Sequence, residues 1–227
     1  MILVKPSFEI KSMMGGDFPD DSPLEIIEKA GRTCYKSEGL TTENSAENFV
    51  KMITKRGHES VIEHSALTIK FVIDRGVSHE LVRHRLCAFS QESTRYCNYK
   101  GGVTFVIPLW LKDLGEGKYH SSFKPTETLS NATWLWLRSM LAAERCYTEL
   151  FGLGWSPQQA RSVLPNSTKT EIVVTANLRE WRHIFKLRCS KAAHPQMREI
   201  MIPLLERCKE LIPIIFDDIN IAGEQNE

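Results

Sequence analysis

Between Arg83 and Tyr96 the chain reads Arg-His-Arg-Leu-Cys-Ala-Phe-Ser-Gln-Glu-Ser-Thr-Arg-Tyr. Three guanidiniums, an imidazole, hydroxyls and an amide are packed into this short run. Arg83, Arg85 and Arg95 keep their charge at any physiological pH, and a planar guanidinium pairs in two-pronged fashion with phosphate or carboxylate. Apolar Phe71-Val72-Ile73 and Leu81-Val82 lie just upstream, so the polar run is anchored on core. Such a cluster suits a polyanionic ligand. It also suits an amphipathic helix with a solvated outer face, and composition alone does not separate the two readings.

Other chemistries fail on spacing. His58-Glu59-Ser60-Val61-Ile62-Glu63-His64 invites a zinc-protease reading, but that motif needs His at i and i+4, and position 62 is Ile. Ser93 has no Gly-x-Ser-x-Gly elbow around it. Six cysteines, at 34, 87, 97, 146, 189 and 208, form no Cys-x-x-Cys pair, so they read as reduced thiols of a cytoplasmic protein with no metal site. Arg188 stands out for a different reason. It follows Trp181 by seven residues and Ile184 by four, on the apolar stripe of a helix, where a charge is costly unless paired. An internal salt bridge or a functional cation would each account for it.

The elements that must position these groups are readable in outline. Ser22 caps a helix from Pro23 to Ala30, and Thr42–Ser45 opens a second that stops at Gly57. Gly15–Asp17 and Pro19–Asp20 read as loop. Ala66–Ile73 is β-branched and aromatic, hence a strand, and Ser78 begins a helix leading into the arginine cluster. Helical neighbours sit about 100° apart, so Arg83 and Arg85 would face different sides, as where two ligands or two subunits meet. Phe89–Tyr96 reads as extended, with Gln91, Ser93 and Arg95 on one side. Val103–Leu111 is a further strand, Leu114–Lys124 a loop, and Thr126–Phe151 one long helix packing Trp134, Leu137, Leu141 and Cys146. Ser156 and Pro157 start a shorter helix. Ile172, Val174 and Ala176 form one face of a strand, and the next helix packs Trp181, Ile184, Phe185 and Leu187. The sum is an α+β fold: one domain over residues 1–227, a mixed or antiparallel sheet, packed helices and one long helix. Lys+Arg 29 against Asp+Glu 28 leaves a net charge of +1, which argues against a dedicated nucleic-acid binder. No apolar run approaches a membrane span, and the first residues lack a signal-peptide layout.

Arg83-His84-Arg85, then seven residues, then Ser93 with Arg95-Tyr96, resembles the signature of flavin-dependent thymidylate synthases. Matching segments recur elsewhere. His58-Glu59-Ser60 through Glu63-His64 resembles the family's His-Glu-Ser/Thr-x-x-Glu-His element, Arg161 to Pro165 its Ala-Arg-x-x-Leu-Pro element, and Asn177-Leu178-Arg179 with Leu187-Arg188 its Asn-x-Arg…Leu-Arg element. The resemblance covers roughly residues 30–100 and 156–200.

It implies reductive methylation of dUMP to dTMP, with methylenetetrahydrofolate as carbon donor and NADPH reducing a bound FAD. Arg188 would stabilise charge developing on the uracil ring. Ser60, Glu63, Arg83, His84, Arg85, Gln91, Asn177, Leu178, Arg179, His183 and His194 would hold the flavin. Glu80, Leu81, Val82, Arg83, Gln91, Glu92, Ser93, Thr94, Arg95, Arg161 and Arg188 would hold dUMP, with Arg161 on its phosphate. A homotetramer with shared active sites is implied as well. The chain departs from the pattern at Cys34 (a serine expected, and no contact carried over), Ser90 (often Asn), Gln91 (often Glu) and His183 (an asparagine expected). Two other classes remain: an RNA- or nucleotide-binding module built on the same arginines, and a plain interaction protein using the long helix.

Overall fold

A computed structural model describes residues 1–14, 22–120, 122–123 and 129–221. In chain order the elements are β1 (Ile2–Val4), β2 (Ser7–Met13), α1 (Pro23–Tyr35), α2 (Ser45–Lys55), β3 (Ala66–Asp74), α3 (Arg75–Leu81), β4 (Ala88–Gln91), β5 (Thr104–Val106) and β6 (Gly117–Lys118). They continue with α4 (Asn131–Gly152), α5 (Pro157–Ala160), β7 (Lys169–Asn177), α6 (Leu178–Arg188), α7 (Pro195–Leu211) and α8 (Pro213–Phe216). The fold is α+β, as the sequence predicts. The expected loops at Gly15–Asp17 and Pro19–Asp20, and the expected helix start at Thr126, lie outside the described residues.

The chain gathers into two compact units, each discontinuous in sequence: Met1–Ser7, Phe71–Arg83 and Ser90–Ile172 in the first, Phe8–Lys70, His84–Phe89 and Val173–Glu227 in the second. One sheet has the order β5-β1-β6, with β1 parallel to β5 and antiparallel to β6, hence mixed. The other has the order β2-β3-β7-β4, and β3 and β7 each contribute residues to both units.

In the first unit, α4 buries Leu137, Met140 and Tyr147 at helical spacing in one cluster with Leu3, Phe105 and Ile107. Leu137, with Trp134 and Leu141 beside it, joins this cluster as expected, whereas Cys146 is exposed and does not. The strand expected over 103–111 is confined to Thr104–Val106. The described part of the Leu114–Lys124 loop contains β6.

In the second unit, burial alternates along β3 and β7, and the Thr68 and Thr175 hydroxyls meet at 2.9 Å. α6 begins where the Asn177 side chain accepts from the Glu180 N–H, a true N-cap. Trp181 stacks on Phe185, which meets Phe216 edge-on. The Trp181 indole N–H donates to the Leu67 carbonyl of β3 at 3.1 Å, so α6 is pinned to the sheet by packing and by a buried hydrogen bond. Leu187 is about half exposed and does not join this face.

α1 has the predicted Ser22 start, with Ser22 and Glu25 forming a reciprocal capping box, but it runs five residues past the expected end at Ala30. Gly31 therefore sits inside a helix. Its role is steric: a Cβ there would lie 2.5 Å from the Phe49 ring of α2. Gly31→Ala should cost about 1–3 kcal/mol by overpacking, read from urea unfolding. Shortening the neighbour in Gly31→Ala/Phe49→Leu should cost less than the two single changes summed. Strict additivity would show that the two residues do not compete for the same space.

Candidate functional site

The first unit carries a compact basic cavity of about 240 Å³, lined by Arg75, His79, Thr94, Arg161, Ser162 and Asn166 among others. α3 opens at Asp74, whose carboxylate accepts from the Val77 N–H at 2.8 Å, so the helix starts three residues before the expected Ser78. This puts Arg75 in the first turn, with its backbone N–H donating to the carbonyls of Asn166 and Thr168. The Arg161 guanidinium donates to the Thr94 hydroxyl at 3.1 Å. Arg75 Nη1 is shielded from solvent with no hydrogen-bond partner among the described residues. A buried donor without a partner is costly, so two converging guanidiniums with one orphan N–H define a place for an anion.

The second unit carries a larger cleft of about 580 Å³, lined by Glu59, Glu63, Asn177, Arg179, Glu180 and His183 among others. A second depression of about 420 Å³ shares Glu59 and Arg179 with it and adds Ser60, Cys34, Tyr35 and His58. Arg179 pairs with Glu63 at 2.5 Å. The N-cap and first two turns of α6 supply Asn177, Arg179 and His183 together, because the Asn177 cap fixes where the helix begins.

Along α6 lies a chain of three polar side chains. Arg188, the last residue of α6, donates its Nε–H to His84 Nε2 at 2.9 Å. His84 Nδ1 faces Glu180 Oε1 at 3.5 Å. His84 and Glu180 are 5% and 7% exposed, and the His183 ring meets His84 edge-on. Burial, then the Arg188 charge, then His183, lower the His84 pKa to about 4, so the ring is neutral at pH 7. Burial pushes the Glu180 carboxyl up. His84, Glu180 and His183 could between them offer three metal-ligand atoms. The adjoining Arg188 cation opposes a second positive charge there, and it already occupies one ring nitrogen.

The Thy1 family, described as thymidylate synthase complementing protein, matches residues 19–214. The chain is 35% identical over 207 residues to the flavin-dependent thymidylate synthase of Mycobacterium avium, covering 89% of this chain and 82% of the relative. It is 33% identical over 204 residues to that of Geobacter sulfurreducens, covering 86% and 82%. Among solved structures, it superposes on the UMP/dUMP methylase PolB from Streptomyces cacaoi bound with 5-Br dUMP with a TM-score of 0.75 at 22% identity, covering 96% of each chain. The chain belongs to the flavin-dependent thymidylate synthase family.

Within that family's pattern, the structure separates the expected residues by environment. Ser60, Glu63, Asn177, Arg179 and His183 all border the two depressions of the second unit, and so does Cys34, the departure from the expected serine. Leu178 is fully buried, its N–H donates to the Ser65 carbonyl, and it borders neither depression. His194 lies away from these clefts and accepts from the Gln196 N–H as the cap of α7. Arg83 and Arg85 are exposed on either side of buried His84, but in a turn: α3 has already ended at Leu81. In the first unit the expected extended run stops at Gln91, and Thr94–Tyr96 form a turn. Gln91 donates to the hydroxyls of Ser78 and Thr170, and Glu92 is held by Lys169 and Tyr99. The Ser93 hydroxyl accepts from the Arg95 N–H, and the Arg95 guanidinium lies over Tyr96. Leu81 is fully buried, so its side chain meets core rather than nucleotide.

Two features escape sequence reading. Arg75 carries no motif; its signal is only its place after a strand end and the Asp74 cap. Arg182 is the deeply buried cation of α6, with Asp218 on both Nη atoms at 2.6 and 2.7 Å, Glu59 on Nε at 3.1 Å, and the Ile215 carbonyl as a further acceptor. Burial and then Glu180 raise the Cys87 thiol to about 12, which disfavours the thiolate that a nucleophile needs.

The buried ring has a measurable signature. Unfolded His84 takes up a proton below its ordinary value of 6.5, whereas the folded ring waits until about pH 4. Stability from this group therefore falls as pH drops from 6.5 to 4, by at most about 1.4 kcal/mol per pH unit for one proton. Glu180, shifted upward, contributes with the opposite sign. The difference between wild type and His84→Gln isolates the histidine, and its slope should vanish outside that window.

Proposed function

We propose that this chain converts dUMP to dTMP by reductive methylation, with methylenetetrahydrofolate as carbon donor and NADPH as reductant of a bound FAD. The observation that carries the reading is the Arg188–His84 pair on the helix whose capped start supplies Asn177, Arg179 and His183, in a chain belonging to this family. The depressions of about 580 and 420 Å³ fall in the usual range for cofactor-sized ligands, about 300–1,000 Å³, and their donors suit a polar cofactor. Ser60, Asn177, Arg179 and His183 would hold it, with exposed Arg83 and Arg85 free of helical constraint to reach anionic groups. When bound, the flavin supplies the hydride chemistry.

The chain's own residues bind, orient and balance charge. In the first unit, Arg75 and Arg161 would take the nucleotide phosphate, and Arg75 Nη1 would gain the partner it lacks. Gln91, Ser93, Thr94 and Arg95 lie on the same strand end and turn and would complete the nucleotide cradle. Arg188 would place a fixed positive charge beside the uracil ring as N3 ionises, the kind of preorganised charge that favours a developing anion without reorganisation. The Arg-His-Arg turn exposes its two arginines on either side of a buried ring, which supports sites shared between subunits of a homotetramer. No helix among the described residues is long and apolar enough to cross a membrane, and a cytoplasmic location is part of this reading.

A visible spectrum of protein incubated with FAD and freed of excess tests the assignment. Retained oxidised flavin should bleach anaerobically with NADPH and reoxidise on adding dUMP and methylenetetrahydrofolate. Arg188→Ala should keep flavin and lose about 10²–10³ in dTMP formation, the scale for removing one preorganised charge donor. Arg161→Ala should raise the KM for dUMP about 10- to 100-fold, as for one charge-assisted hydrogen bond. No retained flavin together with no dTMP overturns the reading and turns attention to RNA.

A further inference from the structure

His84 is the residue whose surroundings least resemble a ligand contact. Both ring nitrogens face protein groups, and the ring does not border the cleft. A guanidinium has no lone pair to offer and can only donate. The Arg188 Nε–H therefore requires a bare Nε2, and a neutral ring must carry its proton on Nδ1, the atom that faces Glu180 Oε1. This tautomer is forced by the donor at one end and favoured by the acceptor at the other.

The spacing on α6 makes the arrangement possible. Glu180 lies in the first turn and Arg188 at the end, eight residues or just over two turns apart, hence on neighbouring lines of the helix surface. Side chains on a helix lean toward its N-terminus, so Arg188 reaches back along the surface and Glu180 sits ahead of it. The His84 ring bridges the two from a separate segment of the same unit.

We propose that Glu180 and His84 are positioning residues: Glu180 holds the His84 tautomer, and His84 Nε2 holds the Arg188 guanidinium by its Nε–H so that the Nη edge is presented to the nucleotide at a fixed angle. The proposal rests on the role of Arg188 in nucleotide activation and adds two residues that orient it, His84 away from the cleft and Glu180 at its wall. Arg188 can rotate about several bonds; one strong acceptor at Nε removes most of that freedom before substrate arrives. The groups facing the ring are Arg188, His183 and Glu180, and protonation of the ring would set an N–H against the Arg188 Nε–H.

The test uses full-length protein reconstituted with FAD. In ¹⁵N-histidine NMR, His84 should show a pyridine-type Nε2 and a pyrrole-type Nδ1, and Glu180→Leu should erode that tautomer. His84→Leu should lower kcat for dTMP about 10- to 100-fold, the loss of one charge-assisted hydrogen bond, while flavin retention and NADPH-driven bleaching stay at wild-type level. His84→Gln, whose amide oxygen can accept from Arg188, should recover most of the lost kcat. A protonated Nε2 in the folded protein overturns the proposal. So does full turnover by His84→Leu when Arg188→Ala is inactive, and so does equal damage in His84→Leu and His84→Gln. Absence of dTMP formation by wild type would instead sink the functional reading, and the NMR tautomer would still be readable on its own.

Discussion

Because arginine can only donate, the hydrogen bond between Arg188 and His84 dictates the state of everything around it. The ring must be neutral, its proton must lie on Nδ1, and the segment after α3 must hold the imidazole against α6. Burial supplies the first condition: with the ring 5% exposed, the charged form loses its water while a guanidinium waits beside it. Burial also makes the arrangement vulnerable, since a ring nitrogen left without a partner there would be penalised twice, by desolvation and by the cation.

That dependence explains why α6 is so heavily anchored. Its start is fixed by the Asn177 cap, its apolar side by Trp181 and Phe185, and its middle by Arg182, whose guanidinium is spread over Asp218, Glu59 and the Ile215 carbonyl. A buried ion pair is a weak source of net stability, because desolvation offsets most of the attraction. It does fix rotation, however, since a helix cannot turn about its axis without stripping Arg182 of its partners. Rotation is what the cleft cannot tolerate: Arg179 and His183 on one side and Arg188 on the other are placed by the same helical phase.

The sequence made the α+β class, the strand alternation of β3 and β7, and the caps at Ser22 and Ser156 legible, because those depend on local periodicity and capping chemistry. Where it misled, tertiary contacts had overruled local rules. The helix expected to end at Ala30 continues to Tyr35, and Gly31 within it leaves the Phe49 ring the space that a Cβ would fill. Cys146 fits the apolar phase of α4 by spacing yet faces out, since the buried line runs through Leu137, Met140 and Tyr147. Local spacing singles out Arg188 as the charge on the apolar stripe of α6, and it is half-buried in the structure. The cation most deeply enclosed on that helix is nevertheless Arg182, whose acidic partners are distant in sequence and so invisible to a local reading. The order β2-β3-β7-β4 was likewise beyond reach, because strand neighbours are set by packing rather than by pattern.

The site shows the same division between short-range and long-range information. Residues expected to contact ligands need particular chemistry and recur as recognisable strings, so a resemblance can name candidates for them. Residues that prepare those contacts need only the right neighbour, and that neighbour can come from anywhere in the fold. Arg75 is aimed by an Asp74 cap and by carbonyls at Asn166 and Thr168, and no string around it announces an anion. Glu180 is a helix-opening acid like many others until His84 is brought to it from another segment. Both are cases where a side chain's polarity is unresolved by its own sequence surroundings and acquires meaning only through a partner. An unpaired N–H in one unit and a tautomer forced by the Arg188 donor in the other are therefore the sharper guides to function in this chain, because each is a physical demand that the fold alone leaves on view.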